Sequence, residues 1–418
     1  MATPGSMRAL REANQDLLLR VVRSAGSLTQ AELSRRTGLS RATVSNIVRD
    51  LSAAGLIRTS STVSAGRRAT AVSMRSDAGL AVGIDVGRSH VRVAIADLSH
   101  HVLGERSASV ERAAPARDVV RTAAGLVGEL LQEAGAETAR VVAVGAGIPG
   151  PLDSRTGRVV EGTILPAWVG LPAADVLSDG VGLPVHVDND ANLGVLAEHT
   201  WGAARGVENV AYIKVSTGVG AGLVINGRLY RGQSGTAGEI GHTTIDENGP
   251  VCRCGNRGCL ETMASVPVMC SLLEQSQGSR PTADEVIARA DAGDPGCRRV
   301  LEDVGRYVGV AVANVCNLLN PGMVVIGGQL AAAGDLLLEP MRGVVRRHAV
   351  PAASSAVTVV ASSLGERAEA LGAVALALDA VPPIPVPNRY PSHARSLLDR
   401  SASEPLDCDP VSQHEVRG

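Results

Sequence analysis

Residues 238–261 read GEIGHTTIDENGPVCRCGNRGCLE, and three of the chain's seven cysteines, Cys252, Cys254 and Cys259, fall there within eight residues. Gly255 and Gly258 lie between them and let the backbone fold tightly around a small centre. His242 precedes them closely. Thiolates and an imidazole at short spacing suit tetrahedral Zn²⁺, and three sulfurs with one nitrogen close the coordination shell, leaving no open position for a reactive water. The spacing therefore predicts one structural Zn²⁺ per chain, held by His242, Cys252, Cys254 and Cys259. The alternative is a set of free or redox-active thiols. Disulfides are disfavoured, because the N-terminal stretch lacks the apolar core of a secretory signal. Cys270, Cys297, Cys316 and Cys408 have no ligand-type neighbours and carry no assigned chemistry.

A loop fixed by metal also fixes what flanks it. Glu239 and Glu261 stand beside ligand positions, so both carboxylates would be held still, as recognition of a hydroxyl-rich ligand such as a sugar requires. GEIGH followed by CRCGNRGCLE resembles the ROK family (repressor, ORF, kinase), which contains bacterial sugar kinases and sugar-responsive transcription regulators. The resemblance implies a two-lobed, actin-like ATPase fold of the sugar-kinase type, and the rest of the chain bears on which branch it serves.

Charge divides the chain. Residues 1–75 carry twelve Arg against four acids, a balance of +8, whereas the whole chain is −2, leaving −10 on the remainder. A basic head on an acidic body points to nucleic acid at one end. The head's pattern agrees. Residues 14–24 read as a helix; Thr29 with Glu32 forms a capping box that opens a short helix ending at Gly38; Ser40 caps the next. In that last helix Val44, Ile47, Val48 and Leu51 make the buried stripe, while Arg41, Thr43, Ser45, Asn46 and Arg49 form a polar outer face suited to a major groove. Two strands, residues 57–61 and 70–74, then flank a turn at Gly66 with Arg67 and Arg68 at the tip. This is a winged helix-turn-helix, and joined to such a body it resembles the repressor branch.

The first lobe begins near Gly79 with two alternating strands around Gly87, similar to the family's first phosphate loop. Where the kinases continue into a second glycine and a threonine, this chain has Arg88 and Ser89, and a long Arg side chain there would either obstruct backbone approach to phosphate or replace the backbone donors with its own charge. Asp85 reads equally as a turn residue or a ligand. Residues 145–153, GAGIPGPLD, form a rigid turn at a strand end, and Trp168 is either packing or an indole near the ligand. Asn189 and Asp190 open a helix; in the family's kinases the matching residues bind sugar and supply the general base. As a plain reading, both are helix caps.

The second lobe carries a glycine-rich turn, residues 216–222, similar to the second phosphate loop. Helices are expected over 262–273, 282–290, 296–319 and 366–378, with strands at 323–328 and 357–361. Beyond residue 381 a Pro-rich, polar stretch is expected to be disordered. The expected domains are the DNA-binding head at 1–76, a first α/β lobe at 77–200, a second α/β lobe with the metal motif at 201–364, a returning helix at 365–380 and the tail.

No apolar run approaches the roughly 20 residues needed to span a bilayer, so the expected location is the cytoplasm, without a membrane partner. The expected function is a sugar-responsive regulator, the expected partners being operator DNA with an inverted repeat and a second copy or three further copies of the chain. Asn189, Asp190, Glu239, His242 and Glu261 would contact the sugar. An ATP-dependent hexose kinase with an accessory DNA-binding head is the rival.

Overall fold

The computed structural model describes residues 7–381 apart from 65, 113, 151, 154–155 and 160–164, so the tail expected beyond Val381 lies outside the described residues. The head consists of α1 (Met7–Ala25), β1 (Ser27–Thr29), α2 (Gln30–Thr37), α3 (Arg41–Ala53), β2 (Ile57–Ser64) and β3 (Arg67–Met74), with strand order β1-β3-β2. Its local signals act as their chemistry dictates. Thr29 and Glu32 cap each other reciprocally, and Gly38 ends α2 with φ 71°. Ser40 accepts from the Thr43 amide, and Val44, Ile47, Val48 and Leu51 are the buried face of α3. The wing strands run further than their apolar content indicates, their pairing extending to Ser64 and Arg67.

The first lobe contains β4 (Leu80–Val86), β5 (His90–Asp97), β6 (Val102–Ser109), α4 (Ala116–Glu133), β7 (Val141–Ile148), α5 (Ala173–Val181), β8 (Val185–Asn189) and α6 (Asp190–Thr200). Its sheet has the order β6-β5-β4-β7-β8, antiparallel at the β6-β5-β4 edge and parallel thereafter. Trp168 is 1% exposed in the core beneath this sheet, away from the ligand cleft, so packing is its role.

The second lobe follows with β9 (Val210–Val215), β10 (Val219–Ile225), β11 (Arg228–Leu229), α7 (Glu261–Ala264), α8 (Val266–Gln277), α9 (Ala283–Asp291), α10 (Pro295–Leu319), β12 (Met323–Gly327), α11 (Asp335–His348), α12 (Pro351–Ala356) and β13 (Thr358–Ala361). Strand order is β11-β10-β9-β12-β13. The single helix expected over 262–273 is two. Ser265 is extended, Pro267 sits in the first turn of α8, and the break lets the Val266 amide donate to the Ser216 carbonyl at 2.8 Å, tying this segment to the glycine-rich turn.

The last helix, α13 (Ala368–Ala380), is buried on every side from Ala368 to Leu378. It lies in backbone contact with its neighbours: a Cβ on Gly83 of β4, Gly145 of β7 or Gly372 of α13 itself would stand 2.3 Å or less from the carbonyl oxygen of Ala370, Ala373 or Leu193. The same buried cluster holds Leu18, Leu19 and Val22 of α1 with Leu371, Val374 and Leu378 of α13, so the head is packed onto the body through this helix. No helix among the described residues is long and apolar enough to cross a membrane.

Candidate ligand cleft, metal cluster and DNA-facing surface

The zinc-type motif folds as a small hairpin. Thr244 pairs with Cys259 and Val251 with Arg257, and the Cys252 amide donates to the Asn256 carbonyl at 2.7 Å. The ligand atoms of His242, Cys252, Cys254 and Cys259 all lie within 4.8 Å of one another. Cys254 Sγ is 3.7 Å from Cys259 Sγ, and Cys252 Sγ is 3.6 Å from His242 Nδ1. Sulfurs bound about 2.3 Å from one tetrahedral centre stand about 3.8 Å apart, and sulfur and nitrogen slightly less, so the four residues fit a tetrahedral metal. His242 uses Nδ1 on this side and turns Nε2 toward Glu239, 3.9 Å from its Oε2. One imidazole thus faces both the cluster and the cleft.

That cleft lies between the lobes and opens to solvent. Asn189, Asp190, Glu239, His242 and Glu261 all line it, together with the turn from Ser216 to Gly220 and with Lys214 and Arg253. Glu261 is held in place by Arg253, whose Nε lies 3.1 Å from Oε1, and by the Val219 amide. Gly218 makes room for it: a Cβ there would stand 2.4 Å from Glu261 Oε2. Gly218 therefore serves the carboxylate, whereas Gly220 and Gly222 face Ala191 of α6.

Asn189 is the N-cap of α6. Its Oδ1 accepts from the Ala191 amide and its Nδ2 donates to the Gly150 carbonyl, both at 2.9 Å, so its side chain holds the 145–150 turn against α6 while it lines the cleft. Asp190 has one partner that spacing did not reveal. Lys214, the chain's single lysine, places Nζ 2.9 Å from Asp190 Oδ2 and 2.8 Å from Glu369 Oε1. Burial works against the Lys214 charge, but Asp190 and Glu369 override it and hold its pKa well above the ordinary lysine value. The signal was present in the sequence: a lone lysine inside the apolar strand VAYIKV needs a buried partner.

The first phosphate turn is altered in a different way from the one expected. Arg88 lines a small pocket beside Trp168 and Arg112, away from the cleft. It is His90 that fills the turn: its ring lies where a Cβ on Gly87 would be, and Nε2 is 2.9 Å from Asp85 Oδ2. Asp85 is 3% exposed and engaged by this imidazole.

On the head, Arg41, Ser45, Asn46 and Arg49 are exposed along α3, and Arg67 and Arg68 are exposed on the wing. Arg49 donates to Asn46 Oδ1 at 2.9 Å, so these two present one combined surface. Thr43 is drawn into the helix cap, its hydroxyl 2.8 Å from that of Ser40. Arg35 and Arg36, exposed in the last turn of α2, add to the head's positive charge and were not singled out by spacing.

A sequence profile of the ROK family matches residues 81–380. The chain belongs to the ROK family. A MarR family profile matches residues 15–68, the head. Among ROK relatives, the chain is 30% identical over 389 residues to a xylose repressor of Caldicellulosiruptor bescii, covering 90% of this chain and 97% of that one. It is 32% identical over 306 residues to a glucokinase of Halalkalibacterium halodurans, which covers 70% of this chain and 92% of the kinase. The crystal structure of a ROK family transcriptional regulator, a homolog of the Escherichia coli MLC protein, superposes with a TM-score of 0.74 at 28% identity over 88% of this chain and 97% of that one. The repressors span head and body; the glucokinase matches a shorter part of the chain.

Proposed function

We propose that this ROK protein is a sugar-responsive transcription regulator, acting as a repressor of carbohydrate uptake or catabolism genes. The observation that carries this reading is the pairing of a basic winged helix with a cleft whose polar wall is complete while its first phosphate turn is filled by His90. A neutral sugar needs the acceptors and donors of Asn189, Asp190, Glu239, His242 and Glu261; phosphoryl transfer needs open backbone around the phosphates and a free base. Asp190 is held instead by Lys214, which favours its use as a hydrogen-bond acceptor over general base catalysis.

In this reading His242, Cys252, Cys254 and Cys259 hold one Zn²⁺ whose part is structural: with all four positions occupied by protein it offers no open site, and it fixes Glu239 and Glu261. Arg41, Thr43, Ser45, Asn46 and Arg49 on α3 face operator DNA, with Arg67 and Arg68 reaching phosphates or the minor groove. Two heads in a homodimer or homotetramer read an inverted repeat. The division at 76, 200, 364 and 380 separates head, first lobe, second lobe and returning helix, and the protein works in the cytoplasm, where its DNA is.

The test joins both ends. DNA selected from a random pool by the purified protein is titrated with and without D-xylose, D-glucose or N-acetyl-D-glucosamine, and ATP consumption is followed with the same sugars. The expected result is a sugar-dependent change in DNA affinity without ATP turnover. Sugar-dependent ATP consumption abolished by Asp190→Asn would establish the hexose kinase reading instead.

A further inference from the structure

The clamp around Lys214 joins three elements. Lys214 stands on β9 of the second lobe, Asp190 at the start of α6 and Glu369 in the first turn of α13. Their side chains are 20%, 16% and 8% exposed. Asp190 and Lys214 face the cleft, whereas Glu369 lies behind them, outside its lining. Burial raises the Glu369 pKa, and Lys214, 2.8 Å away, opposes that rise. A ligand hydroxyl that reaches Asp190 competes with Lys214 for the same oxygen, and any retreat of the ammonium is felt by Glu369.

The other end of α13 touches the head. Arg23, in the last turn of α1, donates from Nη1 to the Leu378 carbonyl at 2.7 Å and is attracted by Asp379. From Glu369 to Leu378 the helix spans about 14 Å at 1.5 Å per residue. It sits in backbone contact with β4, β7 and α6, without slack to absorb a displacement at one end. The Arg23 contact is poorly suited to stability alone: the side chain is 7% exposed, and its Nε is buried without a hydrogen-bond partner. Burying an incompletely satisfied guanidinium is costly, although removing it alone would leave the Leu378 carbonyl and Asp379 without their partner.

We propose that Lys214 and Glu369 are positioning residues through which occupancy of the cleft is passed along α13 to Arg23 and the DNA-binding head. The proposal rests on the sugar-responsive reading above. In this proposal the clamp has two arrangements, Lys214 held on Asp190 or displaced from it by a ligand hydroxyl, and a ligand that contacts Asp190 differently in the two shifts the equilibrium between them. The helix then carries the shift as a body to the root of α1.

The experiment measures coupling, the ratio of DNA dissociation constants with and without saturating sugar, in the full-length protein. The DNA is that selected by the wild type, and the sugar is whichever of D-xylose, D-glucose and N-acetyl-D-glucosamine the wild type binds by calorimetry. Glu369→Gln and Arg23→Met should each reduce the ratio at least fivefold. Arg23→Met should fold and, without DNA, keep a sugar affinity within threefold of wild type. The double variant should lose no more coupling than the worse single one, because both cut one route. Glu369→Asp, which keeps the charge and shortens the reach, should show the same loss if Glu369→Gln does not fold. Wild-type coupling in folded variants at either end, or losses that multiply in the double variant, would overturn the α13 route while leaving the regulator reading standing. A wild type that binds none of the three sugars overturns the reading on which the route rests.

Discussion

At the scale of single residues, the cleft's acceptors were legible and their restraints were not. Glu239, His242 and Glu261 sit in one motif, so short-range spacing brings them together, and Asn189 with Asp190 follows from a strand end and a helix start. Lys214, Arg253 and His90 act through partners that only the fold supplies, Glu369 being the extreme case. Asp190 gives the first prediction. Asp190→Asn removes the charged acceptor, so the sugar concentration needed to change DNA binding should rise at least tenfold, since a hydrogen bond to a charged group is worth about 1.5–3 kcal/mol. Unchanged sugar sensitivity would remove Asp190 from the site. A second change, Gly218→Ala, forces a methyl against Glu261 Oε2; calorimetry should show sugar affinity falling with little change in metal content.

Among the elements, the metal hairpin and the recognition helix carry the separable tests. Cys254→Ser should lower bound zinc and the melting temperature together, because metal held only by the folded state contributes its binding energy to folding. Full zinc content in that variant would put the ion elsewhere. On the head, several Arg side chains displacing counterions should make DNA affinity fall steeply with salt. Arg41→Ala or Asn46→Ala should alter base preference more than Arg67→Ala, which should weaken all sequences alike. Elements with strong local signals, such as α2 with its capping box, could be read directly. By contrast α11 was missed although Leu337, Leu338, Met341, Val344 and Val345 make a regular buried stripe. Pro340 interrupts it, and a proline in mid-pattern reads as a helix end unless packing overrides it. Here Leu337 and Pro340 lie against Gly305 of α10, which leaves room for the closely approaching backbone.

For the whole molecule, the decisive feature is the joint between head and body, which no local pattern announces because α1 and α13 come from opposite ends of the chain. His100 reports on this joint. It follows β5 in a left-handed conformation, φ 69°, with its carbonyl accepting from Trp201 Nε1 at 2.8 Å and its ring 5.4 Å from the indole. Burial first, and the nearby Arg23 second, lower its pKa from 6.5 to about 4, while Asp97 opposes them. The unfolded chain therefore binds this proton before the folded one does as pH falls. The stabilisation is full above about pH 6.5 and is lost progressively down to about pH 4. Allowing for the ring's partial exposure, the loss is on the order of 2 kcal/mol. His199, also lowered by burial, acts with the same sign. In denaturant melts at a series of pH values, His100→Asn, which tolerates the left-handed backbone, should match wild type near pH 7 within about 1 kcal/mol and lose less stability between pH 6.5 and 4.5. Carboxylate titration is common to both proteins, so the difference between the two curves isolates the imidazole. Superimposable curves would mean that His100 is free to take up a proton in the folded protein, and that the head does not bury it.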